Sequence, residues 1–513
     1  MNPKKKKYIA FFAMVVGMFM AILDIQIVAS SLTNIGAGLS ASADELSWVQ
    51  TSYLIAEVIV IPITGFLTRV FSTRYVYFVA ALGFTIMSVV CAVAWSINSM
   101  IIFRLLQGLL GGVLIPITFS SIFILFDSQE RLKANIIVGL VVTMAPTLGP
   151  VIGGYLTENF SWHFMFLLNV IPGIAVCILV YLFLDFDKPN YKLLQNFDYF
   201  GIIFLSLGLG LLQYVLEEGN KVNWFDSGVI VIFSIISFFC LISFVFVELN
   251  HKNSIVDLRT FSNRNFTLGC IFSFVIGVGL YGVVFLLPMF LARAVGMNSL
   301  QIGEVMIVTG LAQFLAAPIA SNLYARGVKS KTLFCIGLTS FSVGCYLNSF
   351  LTIDSRFYEL LLPQIIRGMS LMFCFIPMSN IALGDLPPEK IKTSSGLYNL
   401  MRNLGGAIGL ALISLAITRN TIIFSGYLTE NITLNNPFYQ NKIAGINFYL
   451  FSQMPTIHYK SGLVIMNNII QQNAFIESIN SIFKLLAVLF ILSNILLLFV
   501  KEVKSDVKTS DAH

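Results

Sequence analysis

The sequence contains very little charge for its length. Of its 513 residues only 11% are Asp, Glu, Lys or Arg, whereas 57% are hydrophobic. Soluble globular domains have about a quarter of their residues charged, so this composition excludes a soluble enzyme, a disordered chain and a nucleic-acid-binding protein. In such an apolar chain, the positions of the basic residues are informative about orientation in a membrane, whereas the formal net charge of +6 is not.

The chain also lacks the residue patterns of metal, redox and nucleotide chemistry. The seven Cys are scattered without a CxxC pair, and the four His are isolated, so we expect no disulfide framework and no metal site. No Walker A motif is present, which excludes ATP-driven pumping by this chain. Because no nucleophile–base constellation is visible either, we expect no cofactor and no enzymatic activity.

Long apolar runs dominate what the sequence does contain. A membrane-spanning helix needs about 20 predominantly apolar residues, and the chain has fourteen suitable runs. This predicts an all-α membrane protein with fourteen transmembrane helices. Lys and Arg are concentrated before the first run and in alternate loops from there on, which places both termini in the cytoplasm.

Two parts of the sequence resemble each other. Arg104 and Gln107, followed by a Gly and later a Pro, have counterparts in Arg367 and Gln364, with the Arg and the Gln exchanged. Other similar segments follow the same order in both parts. Repeats with this parallel arrangement predict two six-helix halves with the same orientation in the membrane.

We divide the chain accordingly into three parts. Residues 1–184 form an N-terminal six-helix bundle, 185–264 hold two linking helices and their cytoplasmic connections, and 265–513 form a C-terminal six-helix bundle. The last part contains a long periplasmic loop at 419–478, rich in Asn and Gln. Long loops are often functional or disordered, so a lid, a docking surface for a partner and a loop without a function all remain open.

Charged residues inside the spans cost about 2.5–3.5 kcal/mol each at the helix centre, so each needs a reason. Asp24 in the first span and Arg104 in the fourth lie at matching depths, in the outer half of the bilayer. They would either hold helices together or couple protons to transport. Glu57 lies near the middle of the second span and has no obvious partner, so it is either structural or a second proton-coupling group. A cationic substrate could compete with a proton for such a carboxylate.

Two further groups of residues are candidates for the transport pathway. The polar residues expected to line a substrate cavity are Gln107, Asn399 and Arg402. The fifth span contains two prolines and three glycines within ten residues: Pro146, Gly149, Pro150, Gly153 and Gly154. Proline bends helices and glycine permits close helix contact, so this segment either packs tightly or forms a bent helix that gates one side of a cavity.

These motifs resemble the major facilitator superfamily, and within it the fourteen-helix drug:proton antiporter branch. The segment from Arg104 to Gly108 is similar to the fourth-helix motif of the superfamily, whose Arg is assigned to proton coupling. The segment 149–154 is similar to the fifth-helix antiporter motif. Segments at 48–53 and 386–389 resemble the EmrB type of multidrug export protein. One departure is Arg69, which stands where the superfamily pattern has Asp, so the usual cytoplasmic ion pair is in doubt. Position 57 is not a fixed acid across that branch, so tuning the choice of substrate is an alternative role for Glu57.

The resemblance implies a major facilitator fold of two six-helix bundles plus two extra helices. It also implies a proton-coupled antiporter that exports hydrophobic or amphipathic drugs across the bacterial inner membrane. Its partners would be a periplasmic adaptor and an outer-membrane channel in a tripartite system. Export of one metabolite, such as a siderophore, fatty acid or bile salt, is the alternative, and a membrane sensor that does not transport is a second one.

Overall fold

The structure is a computed structural model that describes residues 3–196, 198–250, 255–430, 441, 444–445 and 461–501. Every regular element within these residues is a helix, and fourteen of the helices are long and apolar enough to cross a membrane. The expectation of an all-α membrane protein with fourteen transmembrane helices is therefore confirmed.

The fourteen long helices are numbered here in chain order. They are α1 (Pro3–Ser30), α2 (Ala43–Phe71), α3 (Thr73–Ala92), α4 (Ile97–Leu125), α5 (Ser128–Asn159), α6 (Val170–Phe183), α7 (Tyr199–Glu218), α8 (Gly228–Asn250), α9 (Arg264–Phe290), α10 (Ser299–Ala325), α11 (Ser330–Leu347), α12 (Phe357–Leu383), α13 (Pro388–Glu430) and α14 (Ser461–Leu497). A single turn at His163–Leu167 leads into α6, and a short helix at Leu32–Leu39 follows α1.

Local sequence fixes where several of these helices begin. At the start of α2 the Ser42 hydroxyl accepts a hydrogen bond from the Glu45 N–H, while the Glu45 carboxylate accepts one from the Ser42 N–H at 2.9 Å. Asn298 and Gln301 make the same reciprocal arrangement at the start of α10. Each arrangement satisfies backbone donors that the first turn leaves free.

The helices form two bundles, α1–α6 and α9–α14, with α7 packed on α2 and α8 packed on α7. Each bundle contains a close contact between two of its own helices, and the two contacts lie at equivalent places. A Cβ added to Gly108 of α4 would overlap the backbone of Tyr53 in α2, and one added to Gly368 of α12 would overlap the backbone of Thr309 in α10. Only glycine lets two helix backbones approach so closely.

The bundles are in close contact on the side of the membrane where α1 begins. A Cβ added to Gly65 of α2 would lie 2.6 Å from the Thr393 Cα of α13. Asn135 of α5 donates to Asn380 of α12 at 3.0 Å. Lys392 of α13 forms an ion pair with Asp187, which follows α6. The superfamily pattern would place a cytoplasmic ion pair at position 69, where this chain has Arg69. The ion pair of Lys392 with Asp187 joins the two bundles at a different place.

On the opposite side α13 and α14 are longer than the sequence indicated. Both ends of the loop expected at 419–478 are helical, because α13 continues to Glu430 and α14 already begins at Ser461. The two extensions are joined by side chains, such as Gln471 to Ser425 at 2.8 Å. These paired polar groups stabilise helix where composition suggested a loop. Residues 431–460 lie outside the described part of the chain, apart from 441 and 444–445.

The length of α13 takes it beyond the membrane. Its 43 residues, at 1.5 Å of rise each, extend about 65 Å, which is about twice the thickness of the hydrocarbon core. The far ends of α13 and α14 therefore form a helical hairpin outside the bilayer.

Candidate functional site

Asp24 of α1 and Arg104 of α4 form an ion pair inside the N-terminal bundle. The two residues are 2% and 0% exposed, so neither charge is screened by water. The Asp24 Oδ1 atom also accepts hydrogen bonds from Asn169, at 2.8 Å, and from Gln107, at 3.3 Å. Buried ions are stable only when such additional hydrogen bonds accompany the ion pair.

Arg104 makes further contacts within α4 and with α2. Its Nη1 donates to the Gln107 side chain at 2.8 Å, and its Nε donates to the Val49 carbonyl of α2 at 3.2 Å. The guanidinium also lies 4.3 Å from the ring centre of Tyr53. Gln107, which the sequence suggested as a cavity residue, is thus engaged in this network and donates to Ser88 as well, at 2.9 Å.

Glu57 of α2 lies where the two bundles meet. It is 2% exposed, and its Oε1 accepts a hydrogen bond from the Asn403 side chain of α13 at 3.2 Å. Because α2 and α13 belong to different bundles, this bond must break or lengthen if the bundles move apart at this level. The partner of Glu57 that sequence inspection did not find is therefore an amide from the other half of the molecule.

A cavity of about 50 Å³ adjoins Glu57, between α1, α2, α7, α9 and α13. Its polar lining consists of Gln26, Gln50, Glu57, Gln213, Glu217, Tyr281 and Asn403. Drug-sized ligands occupy pockets of about 300–1,000 Å³, whereas one water needs about 10–15 Å³ of such space. In this conformation the cavity therefore accommodates water or a small polar group, and a larger ligand requires the bundles to separate.

Asn399 and Arg402 of α13 lie beside the cavity wall rather than in it. Arg402 donates to the Asn399 Oδ1 at 2.8 Å, and its guanidinium lies 5.2 Å from the ring centre of Phe119, which belongs to α4 in the other bundle. The Asn399 amide donates to the Ser395 carbonyl at 2.8 Å. Of this stretch of α13, it is the neighbouring Asn403 that faces the cavity.

The proline- and glycine-rich segment lies within an uninterrupted helix, α5. Pro146 and Pro150 are both inside it, and the carbonyls of Gly153 and Gly154 accept hydrogen bonds from the Thr157 hydroxyl. A Cβ on Gly149 would collide with Gln26 of α1. The segment thus allows α5 to pack directly behind Gln26, a residue of the cavity lining.

Sequence inspection missed Gln213 and Glu217, which line the cavity from α7. They are four residues apart and therefore lie on the same face of the helix. Because they occur near the end of an apolar span, they read as ordinary polar residues at a membrane surface. Their spacing, which places two polar residues on one face of α7, was the feature of the sequence that could have indicated a role in the cavity.

Comparisons with known proteins agree with this architecture. The sequence profile of the Major Facilitator Superfamily matches residues 14–410. The chain is 39% identical to the colistin resistance protein EmrB of Acinetobacter baumannii, over 98% of both chains. It is 30% identical to the multidrug export protein EmrB of Haemophilus influenzae, over 94% of this chain and 93% of that protein. Among solved structures, the proton:xylose symporter XylE is similar in fold, with a TM-score of 0.61, 15% identity and 98% of each chain covered.

Proposed function

Because this chain belongs to the Major Facilitator Superfamily, as a multi-pass membrane protein with EmrB relatives, we propose that it exports hydrophobic or amphipathic compounds in exchange for protons. Residues 1–184 and 265–513 would be the two bundles that rock about the cavity, as transporters with repeated halves do. By the positive-inside rule the termini are cytoplasmic, so the closed side faces the cytoplasm and the cavity lies in the outer half of the membrane.

The observation that carries this proposal is the position of Glu57, which is both on the cavity wall and on the interface between bundles. An ionised carboxylate is costly to bury unless it is paired, whereas a protonated one is much less so. Either a proton or a cationic substrate neutralises Glu57, and the two compete for it. Competition of this kind makes entry of a proton favour departure of the substrate.

Asp24 and Arg104 would be the second part of the coupling mechanism. A proton on Asp24 would leave the Arg104 guanidinium buried without its counter-charge, which costs several kcal/mol. The bundle could lower that cost by shifting α1 relative to Gln107 of α4 and to Asn169, which lies just before α6. Since Ile25 and Gln26 follow Asp24 on α1 and line the cavity, such a shift would reshape the binding site.

The test is efflux of a fluorescent lipophilic dye from liposomes that contain the purified protein, under an imposed pH gradient. We expect Asp24→Asn and Glu57→Gln each to abolish gradient-driven transport. Glu158→Gln, an exposed acid at the end of α5, should leave it unchanged. Transport at the wild-type rate in both Asp24→Asn and Glu57→Gln would refute the assignment. A panel of unrelated compounds then distinguishes broad export from export of a single metabolite.

We also propose that the protein works in the inner membrane with a periplasmic adaptor and an outer-membrane channel. The hairpin of α13 and α14 supports this, because it extends beyond the membrane and carries exposed apolar side chains such as Ile422, at 68%, and Tyr427, at 60%. A photocrosslinking residue at Tyr427 should capture the adaptor in cells. The same residue at Phe225, which is 68% exposed between α7 and α8, serves as the control, and equal capture at both positions would contradict a specific docking site.

A further inference from the structure

The end of α7 contributes polar groups to the cavity that the mechanism above does not use. Gln213 is 2% exposed, and its Nε2 donates to the Glu217 Oε1 at 3.0 Å. Its carbonyl oxygen, Oε1, accepts no hydrogen bond from the residues that the structure describes. A buried acceptor without a donor is unfavourable, and this one belongs to a side chain of the cavity lining. A ligand N–H group that reached this side chain of the cavity wall would give its carbonyl oxygen the donor that it lacks.

Contacts with both bundles hold this part of α7 in place. Ser47 of α2 donates to the Glu218 carboxylate at 3.0 Å. Asn220, just after α7, donates to Ser414 of α13 at 2.8 Å. Trp48 and Tyr214 also pack with their ring centres 5.4 Å apart. The linking helix is thus built into the wall of the cavity and is more than a connection between two halves.

The charge balance of the cavity favours a cation. The nearest lysine, Lys221, is bound by Glu218 through both carboxylate oxygens, at 2.8 and 2.9 Å. Among the described residues, neither Glu57 nor Glu217 takes part in a salt bridge. Arg402, beside the cavity wall, acts electrostatically on Glu57 but forms no salt bridge with it among the described residues. The two carboxylates and the Gln213 side chain therefore line one small cavity, where a positive group with N–H donors would satisfy them.

We propose that Gln213 and Glu217 of α7, together with Glu57 of α2, bind the protonated primary or secondary amine of an exported compound. This inference rests on the proposed export function and names the class of substrate. The carboxylates attract the charge, and the Gln213 carbonyl oxygen accepts one ammonium N–H. Leu54 and Leu410, which line the same cavity, offer apolar contact to the part of the compound next to its amine.

The test is equilibrium binding of three probes to the purified protein in lipid nanodiscs, measured by calorimetry. The probes are 2-(1-naphthyl)ethylammonium, its N,N,N-trimethyl derivative, which keeps the charge but has no N–H, and 2-(1-naphthyl)ethanol, which is neutral. We expect the primary ammonium to bind about tenfold more tightly than the trimethyl compound, the effect of one charge-assisted hydrogen bond. The alcohol should bind more weakly than both.

Three variants assign these differences to residues. Gln213→Leu should lower the affinity for the primary ammonium to that of the trimethyl compound and leave the latter unchanged. Glu217→Gln should lower the affinity for both cations about tenfold. Glu217→Asp keeps the charge and should lower the affinity less, which would show that the site tolerates substitution. Asp226→Asn, an exposed acid after α7, is the control and should bind like the wild type.

Equal affinity for the two cations in the wild type would overturn the role of Gln213, and an unchanged affinity in Glu217→Gln would overturn that of Glu217. The measurement needs no proton gradient, so its outcome is separate from that of the efflux assay. The expected binding pattern without gradient-driven efflux would count against the proposed antiport alone. Proton-driven efflux with no preference among the three probes would count against this inference alone.

Discussion

The two bundles contain a similar arginine motif but differ in the groups that surround the arginine. In the N-terminal bundle Arg104 is paired with Asp24 of α1. In the C-terminal bundle Arg367 of α12 is 2% exposed, and within the described residues it takes part in no salt bridge and its Nη1 donates no hydrogen bond. The sequence of α9, the counterpart of α1, contains no Asp or Glu. Both halves thus contain a buried arginine, and among the described residues only the N-terminal half pairs it with a carboxylate.

This difference teaches that the helix scaffold and the proposed proton coupling are separable. Close packing of α4 on α2 recurs as packing of α12 on α10, through glycines at equivalent positions. The acid that can take a proton depends on one residue of α1 and does not recur. We therefore expect the two arginines to respond differently to the same substitution.

The largest expected effect is the contrast between Arg104→Gln and Arg367→Gln. Removing Arg104 strands the buried Asp24 charge, which costs about 3–5 kcal/mol of folding free energy. Removing Arg367 leaves no carboxylate behind, so its loss should change stability little. Thermal unfolding of the purified variants measures this, with the midpoint of Arg104→Gln falling well below that of Arg367→Gln. Equal midpoints would mean that the two halves are equivalent after all.

The double variant Asp24→Asn/Arg104→Gln decides whether the pair is structural or functional. Removing both charges avoids a stranded ion, so most of the stability lost in Arg104→Gln should return. Gradient-driven dye efflux should nevertheless stay absent, because the titratable carboxylate is gone. Efflux at the wild-type rate in a stable double variant would show that the pair only holds α1 and α4 together.

A smaller effect is expected where the two bundles touch. In Gly65→Ala the new Cβ would lie 2.6 Å from the Thr393 Cα, so α2 and α13 must separate on the side where α1 begins. A cysteine placed at Asn380, on the same side, should then react faster with a maleimide. Gly426→Ala, where an added Cβ meets nothing within 4 Å, is the matched control. An unchanged labelling rate in Gly65→Ala would place the closed contact elsewhere.

The smallest effect should come from the ion pair between Lys392 and Asp187, which joins the bundles while partly exposed to water. Such pairs contribute about 0.2–1 kcal/mol. Lys392→Gln should therefore raise the labelling of the same cysteine by less than about fivefold. Lys7→Gln removes a similarly exposed pair with Glu130 that joins α1 and α5 within the N-terminal bundle, so it should change this labelling little. Comparable increases in both variants would contradict a specific role for the first pair.

Sequence inspection predicted some of the candidate site well and some of it poorly. The pairing of Asp24 with Arg104 followed from their matching depth in two spans, because few other groups can neutralise a charge there. For Glu57 the same reasoning found no partner, since Asn403 is neutral and more than three hundred residues away. Gln107 and Arg402 were expected in the cavity because they are polar, but each makes its contacts beside it.

The sequence by itself determined the fourteen helices and the class of the protein, because hydrophobicity and length are local properties that a bilayer selects directly. It did not determine which face of each helix looks inward. Most of these helices are apolar on all sides, so their rotation is set by contacts such as that of Gly149 with Gln26. Only the tertiary structure brought Glu217 of the linking helix α7 and Glu57 of α2 to one cavity, since packing between distant segments decides which polar groups meet.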